Sequence, residues 1–373
     1  MPCVEMSDLP TIRWGIIATG LISSWFVEDL VLDWPCAKVK HEIKAIGSSS
    51  WEKGEKFASR HCPTSRPSIY DSYQAVYEDT AVDIVFIGTP HGHHYRNCLD
   101  AIAAGKNVLC EKAFALNAEQ AKVVIEAARE KKVYIAEAMW LRHRPLVQEL
   151  HRLIHQEKVI GEVSRVAADF ALKVDIANLP PASRFRNPSL GPGSLLDIGI
   201  YSLTWVALAL DHGTPSQSER PKVKAFQTHE HGVEVATSVL LEYPSTGRQG
   251  IATSTTKVSA PKGEPFAIVH GREGYITIDG LTPSMPYSFS VYKTPNDRQL
   301  SHYWLWTPPE SSKRYTFPSY GRGFVYEADN TALDILAGRK QSALMPWAET
   351  IRMMEIMDEI RQQGGTMYPS DKS

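Results

Sequence analysis

The hydrophobic pattern of this chain changes rhythm once, near Trp140. Before that point, short apolar runs alternate with stretches whose apolar residues recur every three or four positions. TIRWGIIATG reads as a strand ending in a glycine turn, and LISSWFVEDLVLDW as a helix that stops before Pro35. EIKAIGSSS and EKGEKFASRH repeat the pair. AVDIVFIGTP is a continuous β-branched run, the mark of a strand covered on both faces of a parallel sheet. YRNCLDAIAAG is a helix stopped by Gly105 and NVLCEK a strand. NAEQAKVVIEAAREKK is an amphipathic helix with Asn117 as its N-cap, and VYIAEAM a further strand. Strand–helix alternation sustained in this way predicts a doubly wound parallel sheet.

Beyond Trp140 a helix, LVQELHRLIHQEK, precedes segments that alternate apolar and polar at every second residue: EVSRVAADFAL, KVKAFQTHE, EVATSVLLEY, QGIATSTTKV, FAIVHGREGYITID and YSFSVYK. That period predicts a mostly antiparallel sheet with one buried face. A helix around GSLLDIGIYSLTWVALAL interrupts the strands, and GFVYEADNTALDILAG and WAETIRMMEIMDEIRQQG close the chain. The first ten residues read as a loose tail, TPPESSKRYTFPSYGRG as a long loop and GTMYPSDKS as a frayed end. The expected division is residues 1–140 and 141–373, with the closing helices able to pack back on the first domain.

A length of 373 residues with 43% hydrophobic and 22% charged residues fits a globular protein of about two domains. The formal net charge of -2 offers no basic field to attract nucleic acid or an anionic membrane. No run reads as the roughly 18 apolar residues of a membrane span, and MPCVEMSDLPTIR lacks the pattern of a secretory signal. The five cysteines, Cys3, Cys36, Cys62, Cys98 and Cys110, are odd in number and lack framework spacing. They read as reduced thiols, mostly buried, of a cytoplasmic protein.

Four strand ends carry candidate chemistry. In WGIIATGLISSWF, Ala18, Gly20 and Ser23 stand where a G-x-G-x-x-G dinucleotide turn has its glycines. Gly20 survives at the position of closest approach to a diphosphate, with Thr19, Leu21 and Ile22 around it. At the end of the second strand, Ser48, Ser49 and Ser50, with Lys53, replace the carboxylate that would hold a free ribose hydroxyl. That corner favours NADP over NAD; a solvated serine-rich turn is the alternative. In GTPHGHHYRN, His91, His93 and His94 lack the Cys, Asp or Glu partners of a zinc site, and no metal is expected. Backbone at Thr89 and Pro90 and the His94 side chain are expected at the cofactor. In CEKAFALN, Glu111 and Lys112 end a parallel strand beside the same crevice as expected cofactor contacts, and Lys112 is placed to bond a reacting hydroxyl.

The other candidates lie further on. In GPGSLLDIGIY, Ser194 is an expected helix cap, and Asp197 and Tyr201 share a helix face at i, i+4. They read as a proton-transfer pair or as a structural hydrogen bond. Trp140 and Arg142 of AEAMWLRHRP stand at the domain junction, as substrate contacts or as hinge packing.

Together WGIIATGLIS, DIVFIGTPHGHHY, AAGKNVLCEKAFALNAEQA, AEAMWLRHRP and GSLLDIGIY resemble the glucose–fructose oxidoreductase/inositol dehydrogenase family, from about Ile12 to about Met357. The nearest branch is that of the dimeric dihydrodiol dehydrogenases and NADP-dependent D-xylose 1-dehydrogenases. The resemblance implies a Rossmann domain, then an α/β domain with a large open sheet whose free face makes a homodimer. It implies NADP and a small sugar substrate, with catalysis by Lys112, Asp197 and Tyr201. The base is left open between Tyr201 and Lys112. Ala113 departs from the family's usual proline. Two other readings stand beside sugar oxidation: oxidation of trans-dihydrodiols, for which Trp140, Trp304 and Trp306 would offer flat surfaces, and a sugar-pathway sensor that binds NADP without catalysis.

Overall fold

The computed structural model describes residues 9–211, 219–294 and 311–372. The chain forms two compact units. The first takes Met1–Arg144, Ser189–Gly191 and Ser319–Met354; the second takes Pro145–Pro188, Pro192–Pro318 and Glu355–Ser373.

In the first unit, strands and helices alternate: β1 (Thr11–Ile17), α1 (Leu21–Leu30), β2 (Lys40–Gly47), α2 (Trp51–His61), β3 (Ser68–Tyr70), α3 (Tyr73–Glu78), β4 (Ile84–Ile87), α4 (His91–Ala103), β5 (Asn107–Glu111), α5 (Ala118–Lys131) and β6 (Ile135–Ala138). The sheet is parallel with strand order β3-β2-β1-β4-β5-β6. All four residues of β4 are buried, as its unbroken apolar run requires. Winding reverses between β1 and β4, so the crevice for a ligand opens at their carboxyl ends. Asn117 caps α5 by accepting from the Gln120 N–H at 2.9 Å. A later helix, α8 (Phe324–Leu336), belongs to this unit, and Asp29 at the end of α1 accepts from the N–H groups of Arg322, Gly323 and Phe324 at its start.

The second unit holds α6 (Pro145–His155), β7 (Val163–Ala171), α7 (Ile200–Leu210), β8 (Lys222–Glu230), β9 (Val233–Tyr243), β10 (Arg248–Thr255), β11 (Ala267–Gly271), β12 (Gly274–Thr282), β13 (Met285–Lys293) and β14 (Ser311–Thr316). Among the described residues its eight strands run β14-β13-β12-β11-β7-β10-β9-β8, and only the β10–β7 pair is parallel. One face buries Val166, Val239, Leu241, Ala252, Val269 and Ile276. The other carries Phe226, 79% exposed, and Leu240, 57% exposed, with Leu240 paired across to Ile251. The last helix, α9 (Trp347–Gly364), begins in the first unit and ends in the second.

Several elements differ from the sequence pattern. β14 lies inside the expected loop. FAIVHGREGYITID is a hairpin, β11 and β12, turning at Arg272 and Glu273. The tail is not frayed: the Tyr368 hydroxyl donates to Pro192 O at 2.9 Å, and Arg361 donates to Asp371 at 2.7 Å. The stretch Pro188–Leu210 is, by length and composition, apolar enough to cross a bilayer, with mean hydropathy 1.5. Of that apolar window, however, 89% is buried, because α7 is a core helix against β7 and β10.

Candidate active site

The carboxyl edge of the parallel sheet is built by the turn after β1. Ala18 takes φ of +75°, the left-handed conformation that the first fingerprint glycine normally supplies. Gly20 caps α1 with φ of −79°, which any residue can adopt. A Cβ built there meets only Gly88 O, at 4.0 Å, so the fold itself does not demand glycine. The first turn of α1 carries no acidic residue, leaving its positive end available to an anion. Leu21 (67% exposed) and Ile22 flank that end. The close approach expected of the third glycine comes from the other side. Ser23 is fully buried, and a Cβ on Gly88 would lie 2.3 Å from its Oγ.

The three serines after β2 divide their work. Ser48 is buried and shares a 3.2 Å hydrogen bond with Thr19, tying β2 to the turn. Ser50 caps α2, accepting from the Lys53 N–H at 3.4 Å. Ser49 Oγ accepts from Lys53 Nζ at 2.9 Å, on an exposed corner. A hydroxyl and an ammonium therefore stand together on the corner that follows β2. Glu52, one residue short of Lys53, has its pKa lowered by hydrogen bonds from its own backbone N–H and Ser50.

After β4, Pro90 caps α4, so the three histidines form the first turn of that helix and not a loop. His91 Nδ1 lies 3.0 Å from Gly191 O. His94 is fully buried, with its ring nitrogens 2.9 Å from Ala113 O and 2.7 Å from Thr89 O. Burial and the charge of Lys112 bring its pKa down to about 4. Both ring nitrogens face backbone carbonyls, so the expected direct contact with a cofactor does not fit; His94 braces the Thr89 and Ala113 loops instead. Thr89 also accepts from Asn97 at 3.1 Å. Among the described residues, no group of three or more His, Cys, Asp or Glu could hold a metal.

Lys112 follows β5 and is partly exposed, and its bond to Ala113 is cis. Glu111 is only 3% exposed and its charge faces Glu327 inside the unit, which does not fit the expected cofactor contact. Trp140 and Arg142 are likewise buried. Trp140 stacks on Phe324 with centroids 4.3 Å apart, and Arg142 is ion-paired with Glu349. They fasten α8 and α9, which leaves them unsuited to the substrate contact expected of them. Trp304 and Trp306 lie outside the described residues.

In the second unit, Asp197 lies on a π-helical turn, Leu195–Gly199, that runs directly into α7. The i→i+5 bonding of such a turn means that α-helical spacing does not set its relation to Tyr201. Tyr201 is 3% exposed, its ring 5.9 Å from that of Phe170. Arg184, unremarked in the sequence, donates to Asp197 at 3.3 and 3.4 Å and lies over the Phe185 ring at 3.9 Å. Ser194 does not cap the helix. Its hydroxyl donates to Glu234 at 2.6 Å, and Glu234 does the capping by accepting from the Leu195 N–H at 2.8 Å. Burial pushes the Glu234 pKa up, while the Ser194 and Leu195 bonds oppose it.

Residues 12–138 match the oxidoreductase family described by its NAD-binding Rossmann fold, and residues 147–277 match the GFO/IDH/MocA C-terminal domain. The chain belongs to the GFO/IDH/MocA oxidoreductase family. It is 35% identical to a D-xylose 1-dehydrogenase (NADP(+)) from Hypocrea jecorina, over 96% of this chain and 93% of that one. It is 34% identical to a trans-1,2-dihydrobenzene-1,2-diol dehydrogenase from Xenopus tropicalis, over 96% and 99%. Its fold matches a solved 3-ketoreductase from Actinomadura kijaniata with TM-score 0.75 at 22% identity, covering 95% of this chain and 98% of that one. It also matches a levoglucosan dehydrogenase with TM-score 0.77 at 18% identity, covering 95% and 97%. As a family member, the chain is an oxidoreductase.

Proposed function

We propose that this oxidoreductase uses NADP to oxidise the C1 hydroxyl of an aldopyranose, D-xylose to D-xylonolactone being the first candidate. The observation that carries this reading is the 35% identity, over 96% of the chain, to a relative named for that activity. The Ser49–Lys53 corner supports the phosphorylated cofactor, and the open space before Gly20 suits its diphosphate. When bound, NADP supplies the hydride acceptor. The residues of the chain manage the proton. Tyr201 takes it from the C1 hydroxyl. A tyrosine hydroxyl titrates near 10 in water, so this role needs a cation. Lys112 as the base meets the same proton balance. Asp197, held by Arg184, orients the sugar hydroxyls.

The second reading is oxidation of a trans-dihydrodiol to a catechol, which the 34% identity to the Xenopus relative favours. A panel of D-xylose, other pentoses, hexoses and trans-1,2-dihydrobenzene-1,2-diol, each with NADP and NAD, separates them by the absorbance of reduced cofactor. Fastest NADP reduction by D-xylose is expected. Faster reduction by the dihydrodiol selects the second reading, and no reduction by any substrate overturns both in favour of a sensor.

The partner reading is a homodimer through the open face of the eight-stranded sheet. Its support is the exposed apolar pair Phe226 and Leu240 on strands whose other face is core. Light scattering should give about twice the 41.6 kDa chain mass, and Leu240→Glu together with Phe226→Lys should return it to one chain. A wild-type mass of one chain overturns the dimer.

A further inference from the structure

We propose that Glu137, acting opposite His94, is a positioning residue for Lys112. The inference rests on the reading that Lys112 acts in the reaction. The chain turns sharply after β5, through Lys112, Ala113 and Phe114. One peptide group in that turn, Ala113–Phe114, is gripped at both ends by side chains from different elements. Its carbonyl lies 2.9 Å from His94 Nδ1, on the first turn of α4. Its N–H donates to Glu137 Oε1 at 3.2 Å, from β6. Glu137 pairs with Cys110 in the β5–β6 register, so the strand that ends just before Lys112 carries its own clamp alongside. Holding this peptide, the second one beyond the lysine Cα, restrains the turn from which the lysine leaves the backbone.

The choice of a carboxylate matters. Glu137 is 1% exposed within an otherwise apolar strand, a costly place for a charge. Cys110 faces it from β5, Glu327 from α8, Arg142 from the short helix after β6, and Glu349 and Thr350 from α9. Burial pushes its pKa up to about 7, with Glu349 adding to the rise; the Thr350 hydroxyl, the Phe114 N–H and Arg142 oppose it. The ionised form accepts a charge-assisted bond from Phe114, and the protonated form a weaker one. The grip on the loop therefore tightens as pH rises through neutrality. The expected signature is a rise in kcat near pH 7 that depends on Glu137.

Two variants test this with D-xylose and NADP. Glu137→Gln keeps an acceptor oxygen but cannot titrate; Glu137→Leu removes the acceptor. Wild type should show the limb near pH 7 in kcat. Glu137→Gln should lose that limb, with NADP affinity, read by tryptophan fluorescence, unchanged within about threefold. Glu137→Leu should lose about 10-fold or more in kcat at every pH, as for a lost hydrogen bond of about 1.4 kcal/mol. A limb that persists unchanged in Glu137→Gln overturns the proposal, and that variant decides alone if Glu137→Leu does not fold. The Lys112→Met control separates the two layers. If it turns over normally, the catalytic reading fails; if it is inactive while Glu137→Gln keeps the limb, only the positioning role fails.

Discussion

Tyr201→Phe should lower kcat for D-xylose by about 100- to 10,000-fold, the range that a positioned proton acceptor contributes. The substitution removes one oxygen and keeps the ring that packs toward Phe170, and a parallel thermal melt separates lost chemistry from lost stability. NADP affinity should hold, because Tyr201 is not among the proposed cofactor contacts. Lys112→Met should cost a comparable factor. If the two act as one proton-handling unit, the double variant should be no worse than the poorer single one, since groups that work together are not additive. The decisive measurement is kcat under saturating NADP with a parallel binding isotherm. Near-normal turnover in Tyr201→Phe alongside an inactive Lys112→Met would transfer the base role to Lys112. Normal turnover in both would remove the proposed chemistry altogether.

The parallel sheet was legible because its signal is local. An unbroken run such as IVFI in β4 has no alternative use in a chain of this composition, and Asn117 announces the start of α5. The second sheet was legible as alternation, but periodicity cannot report strand direction, so the parallel β10–β7 pair was invisible. β14 was missed for a different reason. Its residues, SSKRYT, lie on a sheet edge and are almost all exposed, so no apolar alternation marks them. The tail was misread because what holds it is distant in sequence: the Pro192 carbonyl for Tyr368, and Arg361 for Asp371.

The site followed the same rule. Strand ends and glycine positions were readable because backbone geometry imposes them. Side-chain assignments made from proximity in sequence were less secure. His94, Glu111, Trp140 and Arg142 stand next to candidate loops in the chain, yet their side chains are buried. Glu137 and Glu234 are the converse: acidic residues in strands read only for their apolar partners. Each was a usable signal, because a carboxylate within a buried strand must find hydrogen-bond donors or stay protonated. Here both found backbone N–H groups, one just past Lys112 and one just before Asp197.

Gly20→Val should separate the fold from the ligand more sharply than any other substitution. Among the described residues, chain neighbours aside, the nearest atom to a Cβ at this position is Gly88 O at 4.0 Å, and φ of −79° suits valine. The remaining cost is the poorer helix cap, about 1 kcal/mol or less, equivalent to a few degrees in Tm. A cofactor diphosphate at the start of α1 would meet the new methyl groups and lose backbone bonds worth about 1.5–3 kcal/mol each. Losing two of them raises the NADP dissociation constant by at least about 100-fold. Gly88→Ala supplies the contrast. Its Cβ would sit 2.3 Å from Ser23 Oγ and 3.1 Å from Phe86, so it should overpack the core and lower Tm outright, by about 1–3 kcal/mol of stability. Normal NADP binding by a stable Gly20→Val would show that the diphosphate does not sit at α1, and the glycine retained in the ATGLIS turn would then have no ligand to explain it.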